Sequence, residues 1–236
     1  MSSVADRLAK LSPAKRALLQ LSKSIGEQEQ FGYVEINKRD RSSGRDVLSF
    51  AQQRLWFLDQ LEGANATYNM PIAFRLHGQL DYKALHRVFD EIIQRHESLR
   101  TNFQSERGQP AQVIAERVTL HIPQVDLSFL DVIEQERQLE TLLRLEAQKT
   151  FNLTRDLLLR VSILRLSALD NVVSVSIHHI ISDGWSVGNV LLHEFKTLYE
   201  AFVKGQPSPL PALKIQYGDF ASWQRNWLSG SRLNNQ

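Results

Sequence analysis

VVSVSIHHIISDG, Val172 to Gly184, alternates apolar and small polar residues and then breaks at Asp183-Gly184. A period of two is that of a strand whose side chains point to opposite faces in turn. It puts Val173, Val175, Ile177 and His179 on one face and Ser174, Ser176 and His178 on the other. Two adjacent histidines therefore point in opposite directions, and at most one serves a given site. Asp183-Gly184 ends the strand before the next helix, with glycine supplying the turn. A metal site is disfavoured, because ligands on a strand should sit two apart and these neighbours diverge. A Ser-His-Asp triad is also poorly supported, since no G-x-S-x-G elbow occurs in the chain. Two readings stay open: a strand end with one buried, hydrogen-bonded histidine and a turn aspartate, or a single imidazole serving a non-covalent acyl transfer.

Around this stretch, strands and helices interleave. A strand near 158–166 precedes it, and a helix follows with Val187, Leu191, Phe195, Leu198 and Phe202 along one side, ended by Gly205. Further upstream a helix is expected from about Leu130 to Lys149. Residues 99–104 and 110–114 read as two strands around the turn Glu106-Arg107-Gly108. Asp81 caps a helix carrying Leu85, Val88, Phe89, Ile92 and Ile93 at helical spacing, with Leu80 and Leu85 placed as a hydrophobic staple. Ile72, Phe74 and Leu76 alternate as one strand face. This order predicts an α/β layered fold with a mixed sheet. Residues 35–46, EINKRDRSSGRD, show no apolar period and read as a linker, with a domain boundary near Val47. Before it, Ser12 and Pro13 start a short helix with Ala17, Leu18 and Leu21 on one side.

Bulk properties narrow the function classes. Hydrophobic residues are 42% and charged residues 23% of the 236, the balance of an ordinary globular protein. A formal net charge of +2 offers no electrostatic case for nucleic acid or an acidic membrane as main partner. The chain has no cysteine, which excludes disulfides, thiolate metal sites and a cysteine nucleophile. The first residues lack the apolar core of a secretory signal and no stretch approaches a membrane span, so the expected compartment is the cytosol.

HHIISDG resembles the HHxxxDG signature of the condensation domains of nonribosomal peptide synthetases. A looser HxxxD form is shared by chloramphenicol acetyltransferase-like enzymes. Three further segments resemble that family in its own order. LSFAQQRLW (Leu48 to Trp56) is similar to SxAQxRLW, RHESLRTNF (Arg95 to Phe103) to RHExLRTxF, and YGDFASWQ (Tyr217 to Gln224) to YxDFAxWQ. Each alone has a plainer reading as a helix start, a helix-to-strand junction or a surface helix. Four matches in order make coincidence a poor joint explanation. FNLTRDLLLR (Phe151 to Arg160) departs from FDLxxxPLxR, with Asn152 for Asp and Leu157 for Pro.

The resemblance implies a chloramphenicol acetyltransferase-like two-layer sandwich lobe, with a mixed sheet and flanking helices, over residues 47–236. It implies that this is the first of two lobes and that the chain stops before the second. Residues 1–46 would be a linker with a short helix and a possible docking segment. The implied reaction is amide formation between a donor and an acceptor held as thioesters on the phosphopantetheine arms of upstream and downstream peptidyl carrier proteins. No metal or directly bound cofactor is implied, and no nucleic acid or membrane partner. His179 is expected to act as base or to position the amine. Gly184 would let substrate approach the turn and offer its N–H to an oxyanion. Asp183 is expected to pair with Arg95 or Arg100 and fix the loop, and His178 to pack on the opposite face. A lobe without its partner is expected to expose an apolar face and to be inactive alone. The signature HHIISDGWS is more like domains that accept an L-configured donor. Two rival readings are a non-catalytic platform for carrier proteins and a free-standing coenzyme A-dependent acyltransferase.

Overall fold

The computed structural model describes residues 35–42, 44–106 and 108–229; the short helix expected after Ser12 lies outside them. The elements in chain order are β1 (Arg45–Asp46), α1 (Phe50–Glu62), β2 (Asn69–His77), α2 (Tyr82–Arg95), a 3-10 turn (Glu97–Arg100), β3 (Thr101–Glu106), β4 (Gln109–Ile114), β5 (Gln124–Asp126) and α3 (Val132–Gln148). β6 (Leu159–Ser167), β7 (Asp170–His178), a π-helical turn (Ser186–Leu191), α4 (Leu192–Val203) and α5 (Tyr217–Trp227) complete them.

The decisive strand is β7. It runs antiparallel to β2 on one side and to β6 on the other, and β5 joins β6 in parallel, giving a mixed sheet in the order β2-β7-β6-β5. Every β7 residue after Asp170 is buried, so the alternation separates two covered faces. Val173, Val175 and Ile177 meet a core with Leu85, Val88, Phe89 and Ile92 of α2 and Phe195 and Leu198 of α4. On the other side Val172 joins Leu164 and Leu166 of β6, Leu139 of α3 and Leu127. The Phe195 ring sits 5.2 Å edge-on to Phe74 and 5.6 Å from Phe89, fastening α4 to β2 and α2 together.

The helix starts follow from capping. Asp81 accepts from the Ala84 N–H and Asp131 from those of Ile133 and Glu134. Ser49 and Gln52 form a reciprocal capping box at α1. Val187, Leu191, Phe195, Leu198 and Phe202 are all buried. The wide spacing of the first three is accommodated by the π-helical turn, whose register carries the apolar stripe into α4.

A second sheet, in the order β1-β4-β3, is antiparallel throughout. It begins inside the polar run read as a linker: Arg45 and Asp46 pair with Val113 and Gln112. From Asn37 onward the chain belongs to the same unit as the residues that follow. The boundary read at Val47 missed this because charged side chains, not an apolar stripe, hold the segment.

Candidate active site

The two histidines at the end of β7 occupy opposite environments. The backbone holds both in extended register, His178 N–H donating to the Leu158 carbonyl (3.0 Å) and His179 N–H to that of Tyr68 (2.8 Å). His178 turns inward, 3% exposed, with Phe151 edge-on at 6.0 Å and Tyr68 at 6.3 Å. Its Nδ1 accepts from the Ile180 N–H at 3.1 Å. Burial, and then the neighbouring charge of His179, push its pKa down to about 4. The ring is therefore neutral with its proton on Nε2, and it braces the turn that follows His179. His179 itself is exposed and lines a cleft of about 720 Å³ with Tyr68, Ile92, His96, Asp183 and Phe220.

Asp183 lines the same cleft but has no arginine partner among the described residues. Its Oδ1 accepts the Ser186 N–H at 2.7 Å, and its carbonyl accepts the Val187 N–H at 3.0 Å. Hydrogen bonds from Ser186 hold the carboxyl below its ordinary range, and the charge of His179 adds to this. The aspartate is thus a cap for the π-helical turn, and the expected pairing with Arg95 or Arg100 is corrected. Arg95 donates to Glu194 (2.9 Å) and to the Pro211 carbonyl (2.6 Å), while Arg100 donates to the Ala115 carbonyl. Both guanidiniums find acceptors close to their own elements, and a donor three residues along the chain serves Asp183. Gly184 is exposed, its φ lies outside the left-handed region, and a Cβ there would meet nothing within 4 Å. The turn does not demand glycine, so what its bare Cα leaves is open space beside the aspartate.

Gln52 also supports the site, although the sequence reading did not single it out. It is 2% exposed, its Nε2 donates to the Ile180 carbonyl (3.3 Å) and to Gln112 Oε1 (3.1 Å), and its Oε1 accepts the Ser49 N–H (3.0 Å). The chain after His179 is therefore held at Ile180 from both sides, N–H by His178 and carbonyl by Gln52. The S-x-x-Q spacing of Ser49 and Gln52 was the available signal, since a capping box fixes where that amide points.

Glu194 of α4 is 5% exposed and joins two residues of the RHESLRTNF segment, one of which, His96, lines the cleft. Its Oε1 meets Arg95 Nε at 2.9 Å and its Oε2 meets His96 Nε2 at 2.7 Å. Burial alone would raise its pKa, but the bonds from His96 and Arg95 outweigh that and hold it below the ordinary range. The same segment meets α5 at a second buried cluster. Arg39 contacts Asp46, Glu97 (2.8 Å) and Asp219 (2.9 Å), with Arg41 adding bonds to Glu97 and Asp219. Burial works against the Arg39 charge, but bonds to the three carboxylates outweigh it and raise its pKa. A Cβ on Gly218 would lie 2.6 Å from Arg39 Cζ, so glycine there is needed for the approach. This cluster fixes the start of α5, from which Tyr217 and Phe220 reach the cleft wall. Tyr217 Oη also lies 3.0 Å from Ser49 Oγ.

Among the described residues no group of three His, Asp or Glu side chains is placed to hold a metal. No described helix is long and apolar enough to cross a membrane.

Comparison with known proteins gives this geometry a context. The profile of the Condensation domain family matches residues 43–236. A linear gramicidin synthase polypeptide of Brevibacillus parabrevis is 47% identical over 189 residues, which are 80% of this chain and 4% of that protein. Malpinin synthetase of Mortierella alpina is 46% identical over 225 residues, 95% of this chain and 3% of the synthetase. The chain thus spans only a few per cent of these relatives. Among solved structures, the X-domain from teicoplanin biosynthesis superposes with a TM-score of 0.75 at 28% identity, covering 86% of this chain and 42% of that one. The starter condensation domain of rhizomide synthetase RzmA shares the fold with a TM-score of 0.72 at 18% identity, over 81% of this chain and 46% of that one.

Proposed function

This chain belongs to the condensation-domain family, and from that premise we propose that its cleft serves amide-bond formation in nonribosomal peptide synthesis. The observation that carries the reading is the position of His179: it is open to the cleft, while His178 and Gln52 immobilise the residue after it. The donor would be an aminoacyl or peptidyl thioester and the acceptor an aminoacyl thioester, each on the phosphopantetheine arm of a carrier protein. The acceptor nitrogen attacks the thioester carbonyl, the C–S bond breaks, and the nitrogen loses a proton as the thiolate leaves. An α-amino group has a pKa of about 7.7–8.0, so near neutral pH a large share is protonated and cannot attack. His179 takes that proton or orients the neutral amine. We assign to the Gly184 N–H, at the first turn of the segment capped by Asp183, the task of meeting an oxyanion; its neighbours Ser182, Asp183 and Ser186 line the cleft, which supports the assignment. The carriers supply the phosphopantetheine, and the protein supplies orientation.

We take the unit that begins at Asn37 as one of the two lobes that such a cleft needs. The test is intact-protein mass spectrometry of two loaded carrier proteins, mixed with this chain alone and then with a second-lobe polypeptide added. Dipeptide mass on the downstream carrier only with both lobes, falling about 10²- to 10⁴-fold with His179→Ala, supports the reading. Transfer that is unchanged in His179→Ala would sink it. A second reading, a non-catalytic binding platform, draws on the likeness to the X-domain, which has been solved in complex with OxyB. Carrier binding without transfer under every condition would favour that one.

A further inference from the structure

His179 is not the sole imidazole on the cleft. His96 lines it too, from the junction between α2 and the 3-10 turn, and it is the one whose second ring nitrogen is held by a carboxylate. Glu194 is buried and already accepts from Arg95 at Oε1, so it is ionised and Oε2 also accepts; the proton between it and His96 therefore lies on Nε2. A carboxylate on Nε2–H fixes the ring plane and the tautomer, and leaves Nδ1 as the atom with spare capacity. Nδ1 has no partner among the described residues, although the side chain is only 20% exposed. The cleft it lines has apolar walls at Ile92, Leu99, Leu191 and Leu213, with Ser98 and Gln216 among its polar lining.

We propose that His96 is a second ligand-contacting residue of the cleft, its Nδ1 accepting a hydrogen bond from an amine or amide N–H of the bound substrate. This rests on the reading of the cleft as a substrate site and adds a second imidazole contact to that of His179. The energetic case is local. Glu194, Arg95 and the chain at Pro211 hold the imidazole in place before a ligand arrives, so little ordering cost falls on the contact. A ligand N–H buried beside the imidazole needs an acceptor, which favours a ligand whose N–H meets Nδ1.

Two substitutions separate this role from a structural one. In His96→Gln the side-chain amide replaces Nε2–H toward Glu194 but offers nothing at the Nδ1 position. In His96→Asn the reverse holds. The probe is an aminoacyl-pantetheine analogue with an ester in place of the thioester. Calorimetric titration of this chain together with the second-lobe polypeptide should show His96→Gln binding it about five- to tenfold more weakly, and His96→Asn, which keeps an acceptor at the Nδ1 position, within about twofold of wild type. Thermal melting of His96→Gln should match the wild type. Wild-type affinity in His96→Gln, or equal losses in the two variants, would overturn the proposal and leave the cleft reading standing. Failure of the two wild-type lobes together to bind the probe would overturn both.

Discussion

His178 and His179 show how one strand period assigns two identical side chains to different tasks. The inward ring is neutral, buried and bonded to the Ile180 N–H; the outward one lies open on the cleft. His178→Ala would leave a buried backbone N–H without its acceptor, a loss of about 1–3 kcal/mol. His178→Asn, whose Oδ1 falls near the Nδ1 position, should recover much of it in urea denaturation. The neighbouring glycine makes the opposite kind of case. A methyl group at Gly184 meets nothing within 4 Å and is not opposed by the backbone angle. Gly184→Ala should therefore leave the melting temperature unchanged while lowering the rate of dipeptide transfer, because the methyl occupies the approach to the proposed oxyanion N–H. A variant with wild-type rate would show that substrate does not come near Gly184. The strand period predicted the separation of the two histidines, but the partner of Asp183 was misjudged. A carboxylate beside a signature histidine suggests an ion pair, yet the nearer donor was the backbone N–H of Ser186, which no side-chain pattern announces.

Among the elements, α5 and the polar segment before β1 are held by charge rather than by an apolar stripe. Arg39 is 5% exposed and faces Asp46, Glu97 and Asp219, themselves 8%, 13% and 0% exposed. Removing it takes the guanidinium from Asp46 and leaves Glu97 and Asp219 with only the half-exposed Arg41, and Arg39→Ala should cost about 3–5 kcal/mol. Arg41, 40% exposed at the rim of the same cluster, should cost under about 1 kcal/mol when replaced by alanine. Gly218→Ala should destabilise by pushing the Arg39 guanidinium off Asp219, and the same change should cost almost nothing in an Arg39→Ala background. Additive losses in that denaturation cycle would mean that Gly218 acts through something other than Arg39. The contrast explains what was legible beforehand. β2, α2, α3, β6, β7 and α4 carry apolar periods or caps that report the neighbour they need, and all were foreseen within a few residues. Residues 37–46 carry no period at all, and Arg39 gains its partners from residues 58 and 180 positions away. Glu97 and Asp219 were visible inside their motifs, but the cation that joins them sat in a stretch that composition assigns to solvent.

Over the whole molecule, these buried groups make stability depend on pH in two separable stages. The unfolded chain protonates His178 near its ordinary pKa of 6.5, whereas the folded chain resists until about 4. Between those values the unfolded state binds more protons, so stability falls as pH is lowered through that window. The gap corresponds to about 3 kcal/mol once pH is below both values. Glu194 and Asp219, held below the ordinary carboxylate range, act in the same direction but at lower pH, because their contribution persists until they too protonate in the fold. The first stage belongs to one ring, and the second to the clusters that hold α4 and α5. Urea midpoints measured from pH 7.5 to 4.5 should decline in the wild-type chain. In His178→Asn they should stay nearly level over that range and fall only below it. If the variant declines as steeply as the wild type, His178 is not the group that titrates, and the neutral ring bracing Ile180 would have to be abandoned.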